Sequence, residues 1–194
     1  MLLSRAESRY FKACAREILS FPLVQTMKKF PQHGKTNCLC HVIMVAENSY
    51  WLALQLHRRL GVHIDYRAVI RGALLHDFFL YDWHDPHNGH RFHGLSHPYT
   101  AYDNASKYFY LNPIERDIIR KHMFPLTPIP PRYLESLLVS FVDKICSIQE
   151  TFSRRSPRTA GVNCPFARHP ALAAGKPEPQ TSAKGGAAHA VCSQ

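Results

Sequence analysis

Two neighbouring polar residues, His76 and Asp77, end the apolar run at residues 69–75, where a core helix would normally carry neither side chain. A buried carboxylate is costly unless it is paired, protonated or coordinated, and a neutral imidazole beside it supplies no counter-charge. Taken alone, the doublet is more typical of a helix that ends at a polar surface, because dipeptides recur by chance. Coordination of a metal ion is the interpretation that explains both residues at once.

Two further residues favour that interpretation. His41 lies in the apolar segment 38–60 and Asp143 in the apolar segment 133–148, each among Leu, Val, Ile and Phe. Imidazole nitrogens and carboxylate oxygens suit divalent iron, manganese, nickel, cobalt, zinc or magnesium. The cysteines lack ligand spacing, since no Cys-x-x-Cys occurs, and those at 38, 40 and 146 are interpreted as small buried helix residues. The sequence therefore predicts a metal site built from His and Asp on three helices.

With these residues in the order His41, His76-Asp77 and Asp143, the chain resembles the HD superfamily of metal-dependent phosphohydrolases over about residues 30–150. Four segments resemble uncharacterised stand-alone bacterial HD-domain proteins: Gln-His-Gly-Lys-Thr at 32–36, Arg-Gly-Ala-Leu-Leu-His-Asp-Phe-Phe-Leu-Tyr-Asp-Trp at 71–83, His-Gly-Leu-Ser-His-Pro at 93–98 and Lys-His-Met-Phe-Pro-Leu at 121–126. The resemblance implies that the four residues hold one metal ion. It also implies an all-α fold, a single helical bundle of the HD-domain type with about six core helices.

The resemblance extends to a second ion. His97 and His122 stand in the order in which binuclear HD proteins place the ligands of that ion, and Asp77 would then bridge the two. Two ions share an activated hydroxide and hold both oxygens of an in-line phosphoryl displacement. The alternative for His122 is a core or surface histidine, and His97 competes with other histidines of its loop, at positions 84, 87, 90 and 93.

The resemblance gives Asp77 the bridging role, and charge and position along the chain suggest further catalytic roles. Four side chains are candidates for orienting a phosphate: His33, Lys35, Arg71 and Lys144. Lys35 precedes the first ligand helix and Lys144 follows Asp143, so both are predicted near the mouth of the site, whereas Arg71 is equally compatible with a solvent-facing position. The loop after the doublet supplies candidate proton donors, His84 and His93, and candidate partners for the ligand imidazoles, Asp82 and Asp85.

Helical signals dominate the rest of the chain. Residues 1–20 form a predicted amphipathic helix that packs on the core, and residues 21–152 form the HD domain. Within it we expect a loop at 21–36, helices at 38–60 and after Asp65, a loop at 83–96, and helices at 98–110, 113–124 and 133–148. No segment alternates apolar and polar residues over a strand length, which leaves an all-α bundle.

Composition limits the location and the partners. In 194 residues no stretch approaches a membrane span, no export signal is visible, and six cysteines then indicate reduced thiols in the cytoplasm. Residues 153–194 are rich in Pro, Ala and Gly and are predicted to be a disordered tail. The tail holds six Lys and Arg against one Glu, a net charge of +5, which is half of the +10 of the chain. The folded part is therefore only mildly basic, which does not favour nucleic acid as a partner, and weak binding by the tail is left as an alternative.

Three function classes remain. The first is hydrolysis of a phosphate ester, such as a nucleotide or a small phosphorylated metabolite, by metal-activated hydroxide; a cyclic dinucleotide is disfavoured because the Gly-Tyr-Pro element of that branch is absent. The second is a di-iron oxygenase, since some HD proteins with six ligands use iron for that chemistry. The third is a non-catalytic sensor or interaction module that holds metal for structure. The substrate, the metal and the oligomeric state are not fixed by the sequence.

Overall fold

The computed structural model describes residues 3–84 and 93–152. In these residues the chain forms seven α-helices, one 3₁₀ turn and no strand, which confirms the predicted all-α class. The helices are α1 (Arg5–Ser20), α2 (Pro22–Thr26), α3 (Cys38–Leu60), α4 (Tyr66–Leu75), α5 (His93–Tyr108), α6 (Pro113–Lys121) and α7 (Leu134–Phe152), with the 3₁₀ turn at Met27–Lys29. The predicted tail at 153–194 lies outside the described residues.

Local signals fix most of the helix ends. Ser4 and Glu7 form a capping box at the start of α1, and Asn112 and Glu115 form another at the start of α6. Gly61 ends α3 with a φ of 68°, in the left-handed region that glycine enters without a steric penalty. The bounds of α3 therefore agree with those expected from the sequence.

Besides small shifts at the ends of α6 and α7, the structure differs from the sequence prediction in two segments. The expected loop at 21–36 contains α2 and the 3₁₀ turn, because Pro22 occupies the first turn of α2, where its missing N–H costs nothing. Helix α5 begins at His93 rather than Pro98, so that Pro98 lies inside the helix. This earlier start gives up one backbone hydrogen bond and places His97 within a helical turn instead of a loop.

Helix α4 lies at the centre of the bundle. It packs against α1, α3, α6 and α7 as well as α5, and each of its residues from Ala68 to Leu75 is buried. Helix α7 packs on α3 and α6. The end of α4, where His76 and Asp77 lie, is thereby enclosed by the helices that carry the other candidate ligands.

Arg71 of α4 does not serve either role expected from the sequence. Its guanidinium is buried, with Nε donating to Glu115 at 2.7 Å and Nη1 to Glu17 at 2.5 Å, and Nη2 donates to the carbonyl oxygen of Tyr110 at 3.2 Å. A guanidinium engaged by two carboxylates is neither solvent-facing nor free for a phosphate. Arg71 instead ties α4 to α1 and α6.

No helix in the described part of the chain combines the length and the apolar character needed to cross a bilayer.

Candidate metal centre

Six His and Asp side chains from five helices converge at the buried end of α4. His41 lies on α3, His76 and Asp77 directly follow α4, and His97 lies on α5. His122 caps the C-terminus of α6 and Asp143 lies on α7. All six are buried, and the structure brings together the full set of candidate ligands that the resemblance implied.

The two carboxylate oxygens of Asp77 face two different pairs of imidazoles. Oδ2 lies 3.7 Å from Nε2 of His41 and 3.4 Å from Nε2 of His76. Oδ1 lies 3.2 Å from Nε2 of His97 and 3.5 Å from Nε2 of His122. Asp77 therefore stands between two clusters of potential ligand atoms, which is the position of a bridging carboxylate.

Asp143 completes the first of these clusters. Its Oδ1 lies 3.1 Å from Nε2 of His41 and 3.6 Å from Nε2 of His76. The ligand atoms of these three residues lie within 4.8 Å of one another, and so do those of His76, Asp77 and His122. In the second cluster the Nε2 atoms of His97 and His122 approach to 2.8 Å.

The donor atoms fit a cation. Nδ1 of His76 lies 2.7 Å from the carbonyl oxygen of Ala73, and Nδ1 of His122 lies 2.9 Å from that of Ile119, so each Nδ1 carries the proton. In the neutral ring each Nε2 then presents its lone pair toward the cluster. Nε2 of His76 and Oδ1 of Asp77 are buried without a hydrogen bond in the described residues. Buried acceptors of this kind are stabilised by a metal ion.

The centre is strongly attractive to positive charge. Burial alone would raise the pKa of Asp77 and Asp143, but the neighbouring imidazoles, His76 foremost for Asp77, hold both well below the ordinary value. Burial likewise opposes a charge on His41, yet its hydrogen bonds to Asp143 and Glu150 raise its pKa to about 9. Two ionised carboxylates thus draw protons onto nearby imidazoles, and a divalent cation binding here would displace those protons.

His122 has the opposite electrostatic character. Burial, reinforced by His76 and His97, lowers its pKa to about 3. The ring is therefore neutral at ordinary pH, which is the state required of an imidazole ligand.

Two polar residues that the sequence analysis did not assign to the site contact its ligands. Glu150 Oε2 lies 3.0 Å from Nδ1 of His41, and Gln32 Nε2 donates to Oδ2 of Asp77 at 2.6 Å. Such outer contacts orient a ligand and tune its basicity. A signal for Glu150 was available, because it follows Asp143 by seven residues and so shares its helical face, but the predicted helix ended at residue 148.

The candidates for substrate contact are dispersed. The half-buried ring of His33 lies 5.4 Å from that of His41, and burial lowers its pKa. Lys35 is exposed in the same turn. Nζ of Lys144 lies 4.0 Å from Oδ2 of Asp143. It donates to the carbonyl oxygen of His122 at 2.6 Å and to the Oγ of Ser140 at 3.1 Å. The ammonium of Lys144 therefore joins α7 to the end of α6.

The loop candidates are only partly described. His84 is exposed, and its ring lies 3.7 Å from that of Trp83, while Oδ1 of Asp82 accepts the backbone N–H of His84 at 2.9 Å. Asp85, His87, His90 and the side chain of His93 lie outside the described residues. Among the described cysteines, Cys38 and Cys146 are buried free thiols as predicted, whereas Cys40 is half-buried.

A sequence model of the HD domain matches residues 39–148, which is more than half of the chain. The chain belongs to the HD-domain family. No curated protein and no solved structure matches it. The matched segment contains all six clustered candidate ligands, and Gln32 and Glu150 lie outside it. The two outer contacts are therefore features of this chain that the family match alone does not assign.

Proposed function

We propose that this HD domain is a metal-dependent phosphohydrolase with a binuclear centre. His41, His76, Asp77 and Asp143 would hold one divalent ion, and His97 and His122 would hold a second, with Asp77 shared. The observation that carries the proposal is the position of the Asp77 carboxylate between two pairs of imidazoles. Its Oδ2 faces His41 and His76, and its Oδ1 faces His97 and His122. A structural site for one ion would not require a carboxylate placed between two clusters.

The metal pair would supply an activated water and neutralise negative charge on a phosphoryl group. The chain's own side chains would hold the ligand residues in position and orient the substrate. Glu150 and Gln32 fix a ligand imidazole and the shared carboxylate. His33 is half-buried beside His41 and its pKa is lowered by burial, so its neutral ring would exchange a proton with a bound substrate, and the exposed Lys35 of the same turn would add positive charge for an anionic one.

The substrate class that suits this arrangement is a small phosphate ester, such as a nucleotide or a phosphorylated metabolite. Lys144, 4.0 Å from Asp143, would act mainly by holding α7 against α6, because its donors already engage His122 and Ser140. The described cysteines form no disulfide with one another, which supports the cytoplasm as the site of action.

Metal stoichiometry tests the binuclear centre. We expect elemental mass spectrometry of protein purified without chelators to find two ions per chain in the wild type and about one in His97→Ala and His122→Ala. His63→Ala is the matched control, since His63 is exposed and outside the cluster, and it should keep both ions. One ion in all of these proteins would contradict the second site and leave a mononuclear enzyme.

Activity separates the function classes. We expect release of phosphate from a panel of nucleotides and sugar phosphates with Mn²⁺, Co²⁺ or Fe²⁺, lost in Asp77→Asn and retained in His63→Ala. Oxygen uptake with iron and without phosphate release would instead favour the oxygenase chemistry that ligands alone do not separate. Bound metal with neither activity would favour a structural or sensory site.

A further inference from the structure

The outer face of α7 is apolar along its whole length. Six large hydrophobic residues on this face are between 39% and 78% exposed; we call them the α7 stripe: Leu134, Leu137, Phe141, Ile145, Ile148 and Phe152. The other exposed residues of α7 are Gln149 and Thr151, and the partly buried Lys144 at the edge of this face donates its ammonium to the carbonyl oxygen of His122, so the stripe itself contains no charged side chain. The opposite face of α7 is buried in the bundle and carries Asp143 and Glu150, so the outer face is the part of α7 left for a partner.

The surface of α1 shows what an ordinary solvent-facing helix of this chain looks like. Its exposed residues include Arg5, Arg9, Arg16 and Glu17. The α7 stripe has no counterpart of these charges. An uninterrupted apolar surface of this kind marks an interaction site.

The spacing of the stripe indicates another helix as its partner. Successive members are three or four residues apart, which is the repeat of a helix seam that packs against a second helix. The repeat also reads nearly the same from either end. Leu134 and Phe152 lie symmetrically about residue 143, as do Phe141 and Ile145, and Leu137 and Ile148 are symmetric to within one residue.

We propose that the α7 stripe is the interface of a homodimer, in which α7 of one copy packs antiparallel against α7 of a second copy. A two-fold axis requires a surface that complements itself, and a stripe that is symmetric under reversal meets that requirement. Phe141 of one copy would then pack beside Ile145 of the other near the axis. The absence of charge removes like-charge repulsion from the contact itself.

The exposed apolar area of the α7 stripe is large enough for a dimer interface. The exposed parts of the six side chains amount to about 600 Å² of apolar surface, which equals the upper end for patches on typical monomers. Pairing two such stripes would bury about 1,200 Å² in total, the lower end of the range of stable interfaces.

The chain's own C-terminal residues suit the stripe less well than a second copy does. Residues 153–194 contain four large aliphatic or aromatic side chains, Val162, Phe166, Leu172 and Val191, at intervals of four, six and nineteen residues. Such spacing does not repeat the three-and-four pattern of the stripe. A second α7 supplies six matching side chains.

Sedimentation velocity and light scattering of the full chain at about 150 mM salt test the proposal. We expect a dimer for the wild type, and a monomer for Phe141→Glu and for Ile148→Glu, with unchanged helical circular dichroism. Leu60→Glu is the matched control: Leu60 is 68% exposed at the end of α3, outside the stripe, and this variant should remain dimeric.

Two results would overturn the homodimer. One is a wild type that stays monomeric up to about 100 μM, well above the dissociation constants of stable dimers. The other is a dimer that survives both glutamate substitutions, since this would place the interface elsewhere. The wild-type measurement decides the first point even if a variant fails to fold.

Discussion

Gly34 lies directly against the backbone of Glu150. A Cβ atom at Gly34 would come within 2.4 Å of the carbonyl oxygen of Glu150, and Gly34 has a φ of 58°. The turn that carries His33 is thereby held against the last turns of α7, where Glu150 contacts His41 through its side chain. One glycine thus joins the turn before α3 to the outer support of the metal centre.

This close approach predicts that Gly34→Ala is much more damaging than a glycine substitution in open space. Gly61 is the matched control, because it has a φ of 68° and an added Cβ would meet no described residue within 4 Å other than its chain neighbours. We expect Gly61→Ala to lower the free energy of unfolding by about 1 kcal/mol, the cost of the left-handed backbone alone. For Gly34→Ala we expect a loss of about 3 kcal/mol, because the clash is with backbone that must move.

Urea denaturation of the two variants measures the difference. We also expect Gly34→Ala to weaken metal binding, since displacing the backbone of Glu150 disturbs its contact with His41. Equal stability losses at the two glycines would show that the contact between the turn and α7 is not tight.

Glu150 is expected to act as a positioning residue for His41. Its Oε2 lies 3.0 Å from Nδ1 of that ring, and removing such a support commonly weakens metal binding by about 10- to 100-fold. We expect a loss of this size for Glu150→Ala and a smaller loss for Glu150→Gln, whose amide oxygen still accepts the hydrogen bond. Gln149→Ala changes an exposed neighbour on the same helix and should leave metal affinity unchanged.

Competition with a metal-chelating dye gives these affinities directly, without an activity assay. Rescue by Gln distinguishes the hydrogen bond from general damage to α7. An unchanged affinity in Glu150→Ala would remove Glu150 from the support of the centre.

The sequence pointed to four of the six candidate ligands because His41, His76, Asp77 and Asp143 lie within or directly after apolar helices, whereas His97 and His122 came only from the family resemblance. Burying a polar side chain such as His41, Asp77 or Asp143 costs free energy unless the group is paired or coordinates a metal. Capping signals such as Asn112 and Gly61 likewise predicted helix ends that the structure confirms. These helix ends depend on residues close in sequence, where capping preferences determine the backbone conformation.

Contacts between distant segments were not predictable in the same way. Arg71 looked available for a phosphate because its two carboxylate partners lie 54 and 44 residues away in sequence. Pro98 is typical of a first helical turn and so predicts a start there, whereas α5 begins at His93 in the structure. The assignment of the two Asp77 oxygens to separate imidazole pairs depends wholly on tertiary packing.

Arg71 is expected to contribute to stability rather than to phosphate binding. Removing the guanidinium in Arg71→Met leaves Glu115 buried without its cation, which typically costs 3 to 5 kcal/mol, so we expect a loss of about 4 kcal/mol. Glu17→Gln is the control, since that side chain is 59% exposed and its loss should cost less than about 1 kcal/mol. Chemical denaturation measures both changes. If Arg71→Met unfolds as readily as Glu17→Gln, the buried pair is not a stabilising element.

Asp117 should contribute a pH-dependent part of the stability. Burial opposes its ionisation, but hydrogen bonds from Lys121 and from the backbone N–H of Arg132 lower its pKa below the ordinary value. A carboxyl whose pKa is lower in the folded state stabilises the fold above its unfolded pKa of about 3.9, and this stabilisation disappears as the pH falls through the folded pKa. We therefore expect Asp117→Asn to be less stable than the wild type at pH 7.

The difference between the two proteins should shrink progressively below about pH 4, as Asp117 becomes protonated in the wild type. Urea denaturation at a series of pH values measures it, and using a difference cancels the titration of the other groups. Asp103→Asn, at an exposed position of α5, should show little effect at any pH. A difference for Asp117→Asn that stays constant down to pH 3 would assign its cost to lost packing or hydrogen bonding instead of to the charge.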